Sequence, residues 1–292
     1  MPDLPSFIII GAMKAATSTL RQQLAHQPGI FMCEPKEPNF FSDDRGFEKG
    51  LGWYSGLFSG AADGDLLGEA STHYTKLPTY PQTVARLKRH LPSARFIYLM
   101  RHPIDRLVSH YIHDWSMGAF HCDIDDAVRR YPELMAYGNY AMQLRPYFQA
   151  FGNRTVLPVF FDRLIAEPQP ELERICRFIG YRSGPEWSAD LPPDNISAER
   201  IRRFPLHGVL IDSTLATWVR RSLVPRRVRN AVKRRRVMRQ RPVLDATLRR
   251  QLEQDFDRDL EQLGKWLGAH ITCSNFRQVT GSHSLDWVAR DG

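Results

Sequence analysis

The stretch Phe7-Ile8-Ile9-Ile10-Gly11-Ala12-Met13-Lys14-Ala15-Ala16-Thr17-Ser18-Thr19-Leu20 decides the fold of this chain. Four apolar residues, three of them β-branched, end at Gly11, and a Thr/Ser cluster then opens an amphipathic run. This pattern predicts a buried strand, a tight turn and the N-terminus of a helix. A helix N-terminus offers unpaired N–H groups and a partial positive charge, and here Lys14 and three hydroxyl groups converge on it. We therefore expect this corner to bind phosphate.

The loop differs from the ATP-binding P-loop. In that motif the lysine follows the last glycine and immediately precedes Ser or Thr. Here Lys14 comes three residues after Gly11, and Ala15 and Ala16 separate it from Thr17. An ordinary strand-turn-helix with a solvated lysine is the alternative interpretation, and this stretch alone does not decide between the two.

A second stretch, Ala94-Arg95-Phe96-Ile97-Tyr98-Leu99-Met100-Arg101-His102-Pro103-Ile104-Asp105-Arg106-Leu107-Val108-Ser109-His110-Tyr111, places a cation at the end of another strand. Its apolar run predicts a strand that delivers Arg101 at its end. Pro103 is typical of a first helical turn, so Ser109 is expected on the helix that follows. Arg101 and Ser109 can thus flank one anion from the strand end and the helix.

Together the two stretches resemble the sulfotransferases that use 3′-phosphoadenosine 5′-phosphosulfate (PAPS). In that family the loop binding the 5′-phosphosulfate carries a lysine before a Thr/Ser cluster. The 3′-phosphate site reads Arg-x-Pro-x-x-Arg-x-x-Ser-x-Tyr, which is matched at every fixed position from Arg101 to Tyr111. The resemblance implies an α/β fold with a P-loop-NTPase-like parallel sheet covered by helices on both faces. It also implies PAPS as co-substrate, adenosine 3′,5′-bisphosphate (PAP) as product, and nucleotide contacts from Gly11, Lys14, Ala15, Ala16, Thr17, Ser18, Thr19, Arg101 and Ser109.

Three further stretches place the resemblance in the carbohydrate branch, the heparan-sulfate-type enzymes and their bacterial relatives. They are Pro35-Lys36-Glu37-Pro38-Asn39-Phe40-Phe41, Gly68-Glu69-Ala70-Ser71-Thr72-His73-Tyr74, and Tyr137-Gly138-Asn139-Tyr140 leading to Gln143-Leu144. The likeness runs from about Phe7 to about Gly180 and resumes near Pro242. It implies an acceptor hydroxyl, with an amine as the less favoured alternative, on a glycan, a glycolipid or a small metabolite.

In the resembling family the Lys-Glu pair of the first of these stretches borders the reaction centre. The resemblance therefore implies that Lys36 contacts the sulfuryl group or the acceptor. A surface loop anchored by Phe40 and Phe41 is the alternative.

The apolar run before Glu69 predicts a short strand that ends in a carboxylate. Ligands gather at the carboxyl ends of parallel strands, where Gly11, Glu69 and Arg101 would meet. Sulfuryl transfer needs a base to take the acceptor proton and a cation to steady charge on the leaving phosphate. Glu69 fits the base and Lys14 the cation, and the resemblance places a catalytic glutamate at Glu69, in contact with the acceptor. His73 is the alternative base.

Lys14 and the helix N-terminus supply the positive charge that Mg²⁺ supplies in kinases, so no metal is expected. A P-loop-type kinase is the first rival hypothesis. It would need Ser or Thr directly after the lysine and a metal-binding acid at a strand end, where this chain has Ala15 and Arg101. A non-catalytic basic binding protein is the second rival, although the chain carries no signature of nucleic-acid binding.

Apolar spacing predicts the remaining elements. Helices are expected within Pro78 to His90, Asp123 to Arg130, Asn139 to Phe151 and Glu171 to Ile179, and a strand over Thr155 to Phe161. Alternating strands and helices favour a parallel sheet, so we expect one domain over residues 1–292. Its core spans about 5–182 and a C-terminal helical part about 196–270.

The C-terminal part predicts an amphipathic helix through Leu248, Leu252, Phe256, Leu260 and Leu263. In the family this part contributes a basic residue to the 3′-phosphate, and alignment of the helix places Arg239 there. The chain departs from the family by having Val237-Met238 where Lys-Gly would stand. Arg200, Arg202 and Arg203 are therefore rival ligands.

The net charge of +8 is concentrated in one segment. The residues from Arg220 to Arg241 include eleven Lys or Arg and no acid, so subtracting eleven from +8 leaves −3 for the rest. A solvated basic helix or linker is the interpretation that we favour for this segment, and the alternative is attraction to an anionic acceptor, a membrane surface or nucleic acid. No apolar run has the length of a membrane span or a signal-peptide core, so we expect a cytoplasmic protein. The four cysteines have no paired spacing, which favours free thiols over disulfides or a zinc site.

Overall fold

The computed structural model describes residues 4–191, 238 and 240–288 of the chain. Its centre is a five-stranded parallel sheet in the order β2-β3-β1-β4-β5. The strands are β1 (Phe7–Gly11), β2 (Ile30–Met32), β3 (Leu66–Ala70), β4 (Arg95–Met100) and β5 (Val156–Phe160). The predicted parallel α/β sheet is confirmed.

The helices of the described residues follow the predicted alternation with the strands. They are α1 (Thr17–Ala25), α2 (Asp44–Phe47), α3 (Gly50–Gly56), α4 (Thr83–His90), α5 (Pro103–Met117), α6 (Ile124–Arg130), α7 (Glu133–Ala136), α8 (Tyr140–Phe151), α9 (Phe161–Ala166), α10 (Pro168–Ile179), α11 (Ala246–Leu267) and α12 (Phe276–Ser282). Pro103 stands at the start of α5, and Gly180 ends α10 with a φ of 89°. Both residues thus mark the ends of helices, as the sequence predicts.

Continuous burial of the strands explains why the sheet is covered on both faces. Every residue of β1 and β5 is buried, as are the last five residues of β4. Because successive side chains of a strand point to opposite faces, such burial requires apolar cover on each side. β1 lies between β3 and β4, so the loop that follows it emerges at the middle of the sheet's carboxyl edge.

Gly11 is required where β1 ends. Its φ is 148°, and a Cβ atom there would lie 2.0 Å from Oγ1 of Thr75. That hydroxyl donates to the carbonyl of Ile10 at 2.7 Å. The close approach fixes the direction in which the chain leaves the sheet, and any larger residue would displace it.

The end of the chain is more structured than its polar composition suggests. Residues beyond Thr272 form α12, in which Phe276 is fully buried and packs edge-on against His102, with 5.8 Å between the ring centroids. Arg277 pairs with Asp105 of α5 at 2.6 Å. This segment therefore braces the helix that follows β4.

The predicted C-terminal helix is confirmed as α11, which packs against α5 and α8. Residues 196–237 of the predicted C-terminal helical part lie outside the described residues. The single-domain division stays a prediction. All four cysteines, at positions 33, 122, 176 and 273, are free thiols, as expected.

Candidate active site

A cleft of about 690 Å³ opens beyond the carboxyl edge of the sheet. Its walls come from the loop after β1, the loop after β2, the turn after β3 and the middle of α5. This is the position at which parallel sheets bind ligands. Lys14, Thr17, Ser18 and Thr19 line one end, together with the backbone around them.

The loop after β1 adopts a conformation that L-residues disfavour. Lys14 has a φ of 71° and Ala16 a φ of 70°, and α1 begins directly after them without a side-chain cap. Left-handed conformations cost non-glycine residues about 1–2 kcal/mol each, and such strain clusters at ligand sites. Ala16 also lines the cleft, whereas Ala15 is fully buried and neither it nor Gly11 belongs to the lining. Those two residues therefore shape the loop from behind.

Arg101 lies at the end of β4, beside this loop. Its guanidinium carbon lies 4.5 Å from the ring centroid of Phe161, and its Nη1 donates to the carbonyl of Lys14 at 3.3 Å. Within the described part of the chain its Nε has no hydrogen-bond partner. Ser109 of α5 lines the same cleft. The structure thus brings Lys14, Arg101 and Ser109 together, as the sequence predicts.

The middle arginine of the motif has a different place. Arg106 is fully buried and donates to a backbone carbonyl of α7, so it does not reach the cleft. It connects α5 to the helices packed over it.

The loop after β2 forms the opposite wall. The Nζ of Lys36 donates to Oγ of Ser18 and lies 3.7 Å from Oε1 of Glu37. Oε2 of Glu37 accepts from Oγ1 of Thr72 at 3.2 Å. Glu37 has a φ of 54° and is half-buried in the cleft lining. The structure therefore joins Lys36 to the start of α1 and places a carboxylate directly beside it.

The sequence reasoning did not select Glu37. The residue stands next to Lys36 in a stretch already singled out, so the signal was present in the sequence. Its contact with Thr72 across 35 residues of chain is what identifies it.

Glu69 does not lie where the sequence reasoning placed it. Its side chain is fully buried, accepts from the hydroxyl of Tyr54, and accepts from Oγ of Ser71 at 2.5 Å. It is absent from the cleft lining, so the three strand ends do not all present side chains to one crevice. Burial raises the pKa of Glu69, against the opposing effect of these hydroxyl donors. Successive side chains of a strand point to opposite faces of the sheet, and the side chain of Glu69 points into the core.

His73 and Lys76 line the far end of the cleft, in the turn after β3. The ring of His73 stacks on Tyr80, with 4.7 Å between the centroids. Burial, and secondarily the charge of Lys76, lowers the pKa of His73 to about 4. Burial lowers the pKa of Lys76 to about 8. His73 is therefore neutral at physiological pH, while Lys76 is largely charged.

The third predicted 3′-phosphate ligand, Arg239, lies outside the described residues, as do its rivals Arg200, Arg202 and Arg203. Of the basic segment Arg220 to Arg241, the structure describes residues 238, 240 and 241, and all three line the cleft. Arg241 also pairs with Asp105 at 3.4 Å.

Comparison with known proteins agrees with this arrangement. Residues 57–185 match the model of the "Sulfotransferase family". The chain is 28% identical over 189 residues to human heparan sulfate glucosamine 3-O-sulfotransferase 3B1, a match that covers 62% of this chain and 47% of that protein. It is 34% identical over 111 residues to the membrane-associated sulfotransferase kil1 of Dictyostelium discoideum, covering 37% of this chain and 22% of that protein. The chain thus spans at most about half the length of these curated relatives.

Among solved structures, the chain is similar to a sulfotransferase from Alicyclobacillus acidocaldarius. The two are 28% identical with a TM-score of 0.56, over 66% of this chain and 88% of the other.

These matches correct the expected location. The prediction of a cytoplasmic protein is wrong, because the relatives to which the chain is similar are heparan sulfate sulfotransferases and a sulfotransferase named as membrane-associated. Within the described residues, no helix has the length and apolar character needed to cross a membrane.

Proposed function

We propose that this chain is a member of the sulfotransferase family, whose model matches residues 57–185, and that it transfers the sulfuryl group of PAPS to an acceptor hydroxyl. The observation that carries the proposal is a single cleft with two cationic positions and a neighbouring carboxylate. Lys14 and Arg101 are joined through the Lys14 carbonyl, and Glu37 faces them beside Lys36. Similarity to this family does not favour the two rival hypotheses, a P-loop-type kinase and a non-catalytic binding protein.

The loop after β1 is suited to hold the 5′-phosphosulfate. The N–H groups at the start of α1, the Lys14 ammonium and the hydroxyls of residues 17–19 all lie at one end of the cleft. This arrangement complements a dianion without a metal ion. Arg101, whose Nε has no hydrogen-bond partner among the described residues, and Ser109 would hold the 3′-phosphate. The residues present therefore fit the nucleotide.

Glu37 is our choice of acceptor base. Among the described residues it is the carboxylate that lines the cleft, whereas Glu69 is sealed in the core. As the acceptor oxygen bonds to sulfur, its proton would pass to Glu37, and the bond between sulfur and the phosphate oxygen would break to release PAP. Lys36 and Lys14 would stabilise the charge that develops on that phosphate oxygen. His73 is the weaker candidate, because a pKa of about 4 makes it a poor proton acceptor.

The proposed class of acceptor is inferred from the names of the relatives. The human relative is named for 3-O-sulfation of glucosamine in heparan sulfate. We therefore propose a glycan hydroxyl as the acceptor, with a glycolipid or a small metabolite as the alternatives.

Calorimetry tests the nucleotide assignment. PAP should bind more tightly than AMP, because AMP lacks the 3′-phosphate, and Arg101→Ala should erase most of the difference. A lost charge-assisted contact costs roughly 1.5–3 kcal/mol, or about 10- to 150-fold in affinity. Arg95→Ala is the matched control, since Arg95 lies at the opposite end of β4 and bonds to a backbone carbonyl there. Equal affinities of the wild-type protein for PAP and AMP would refute the assignment.

Transfer itself is measured with radiolabelled PAPS and a panel of glycans, glycolipids and small metabolites. Sulfated product from any of them supports the proposal. Binding of PAP without transfer to any candidate would point to an acceptor class outside the panel.

A further inference from the structure

The first turn of α8 reaches two separate parts of the cleft wall. It carries Tyr140 and Gln143, both fully buried. Each side chain satisfies both backbone polar groups of one residue in another segment: Tyr140 those of Arg101, and Gln143 those of Leu77. Neither residue lines the cleft.

The contact with Arg101 replaces missing sheet hydrogen bonds. The ladder between β4 and β5 ends at the pair Met100 and Phe160, so Arg101 lies one residue beyond it. The Tyr140 hydroxyl donates to the carbonyl of Arg101 and accepts from its N–H at 3.2 Å. Burial raises the pKa of Tyr140 to about 12, so the hydroxyl keeps its proton at neutral pH. One side chain thereby holds the peptide groups from which the Arg101 side chain extends.

The turn is itself anchored from a distant helix. Asn139, at the cap position of α8, makes no side-chain capping bond. The carboxylate of Asp259 on α11 accepts instead from the N–H groups of Ala141 at 2.8 Å and Met142 at 2.9 Å. A carboxylate at this position also favours the helix dipole. The orientation of Tyr140 is thus set by α11, 119 residues further along the chain.

We infer that Tyr140 is a positioning residue for 3′-phosphate recognition. It acts through its paired hydrogen bonds to the backbone of Arg101, and the Asp259 cap holds it in place. The inference rests on the proposed role of Arg101. A bidentate arginine contact depends on a narrow range of orientations, so releasing the backbone of Arg101 should weaken the grip on the 3′-phosphate selectively. The 5′-phosphate corner has its own loop and should be unaffected.

The test is the ratio of the dissociation constants of AMP and PAP, measured by calorimetry for Tyr140→Phe. We expect the ratio to fall roughly 3- to 10-fold, the effect of losing the hydrogen bonds of one hydroxyl, with AMP affinity unchanged. The KM for PAPS should rise by a similar factor while kcat at saturating PAPS is retained. A purely structural role would weaken PAP and AMP binding alike.

Tyr147→Phe is the matched control. Tyr147 is a buried tyrosine on the same helix whose hydroxyl donates to the carbonyl of Tyr74 at 2.8 Å, away from Arg101. This variant loses the same atom and a comparable hydrogen bond, so it should lose similar thermal stability and keep the wild-type ratio. Gln143→Leu, which releases Leu77 from the same turn, should also keep it.

The outcomes distinguish a failure of the proposed 3′-phosphate site from a failure of the role inferred for Tyr140. If the wild-type protein does not distinguish PAP from AMP, the proposed 3′-phosphate site fails. Suppose that the wild-type protein does distinguish PAP from AMP. The inference is then overturned if Tyr140→Phe keeps the wild-type ratio of the dissociation constants, or if it loses affinity for both nucleotides equally. Should Tyr140→Phe not fold, Asp259→Ala serves instead, since it removes the cap, leaves the hydroxyl in place and should lower the ratio in the same direction.

Discussion

Replacing Glu37 and Glu69 separately by glutamine distinguishes the catalytic carboxylate from the structural one. Glutamine is nearly isosteric with glutamate but accepts no proton at neutral pH. Glu37→Gln should reduce turnover by roughly 10²–10⁴-fold, the usual effect of losing a general base, with little change in stability. Because Glu37 is half-buried and its Oε2 contact with Thr72 can be kept by the amide oxygen, the fold should tolerate the change.

Glu69→Gln should show the opposite profile. Its carboxylate accepts from the hydroxyls of Tyr54 and Ser71 on its two oxygens, inside the core. The amide keeps one acceptor and turns an NH₂ group toward the other donor, which costs about 1–3 kcal/mol for a buried mismatch. At about 2–4 °C per kcal/mol for a chain of this size class, the melting temperature should fall by roughly 2–12 °C. Turnover of the folded fraction should stay within about threefold of the wild-type value, since a group outside the cleft exchanges no proton with the acceptor.

Initial rates of labelled sulfate transfer at saturating PAPS, PAP calorimetry and thermal denaturation measure the three quantities. Glu34→Gln is the control in the loop that carries Glu37, because Glu34 is exposed, pairs with Arg21 and does not line the cleft. It should leave turnover and PAP affinity unchanged. Loss of turnover in Glu69→Gln at temperatures where it is fully folded, together with normal turnover in Glu37→Gln, would refute the reasoning and restore Glu69 as the base.

Three further measurements test the physical account of the site. Burial lowers the pKa of Lys76 from 10.5 to about 8, against the attraction of Glu37 and Asp114. Between these pH values the unfolded state therefore binds more protons than the folded state, and the free energy of unfolding should rise with pH. Lys76→Met should remove this rise in denaturant titrations, and an unchanged slope would contradict the lowered pKa. Ala16→Gly should raise the unfolding free energy by about 0.5–1 kcal/mol, because glycine adopts the φ of 70° without strain; a lower melting temperature would show that the loop is not strained there. Transfer should persist in EDTA, since Lys14 and the start of α1 supply the positive charge; activity that disappears in EDTA and returns with Mg²⁺ would favour the kinase instead.

The sequence alone determined the sheet and the end of the cleft that carries Lys14 and Arg101. The run before Gly11 and the run before Arg101 are short, continuous and apolar, with β-branched and aromatic residues, and such runs are typical of strands buried on both faces. Because the carboxyl ends of parallel strands share one edge, adjacent strands bring Lys14 and Arg101 together without further information. These features are local in sequence.

Only the tertiary structure decided which carboxylate faces the cleft. Glu69 lies near the end of the short strand β3 and Glu37 lies in the loop after the short strand β2, and sequence spacing does not state which side chain faces the cleft. The donors that enclose Glu69 come partly from Tyr54, fifteen residues earlier, while the contact that holds Glu37 comes from Thr72. Both depend on how α3 and the turn after β3 pack over the sheet.

The same limit applies to the C-terminal contacts. Asp259 caps α8 and Arg277 pairs with Asp105, across 118 and 172 residues respectively. Side chains that replace missing backbone partners at such separations leave no periodic trace in the sequence. Their geometry exists only once the core has brought the helices together, because packing, not local propensity, selects those pairs.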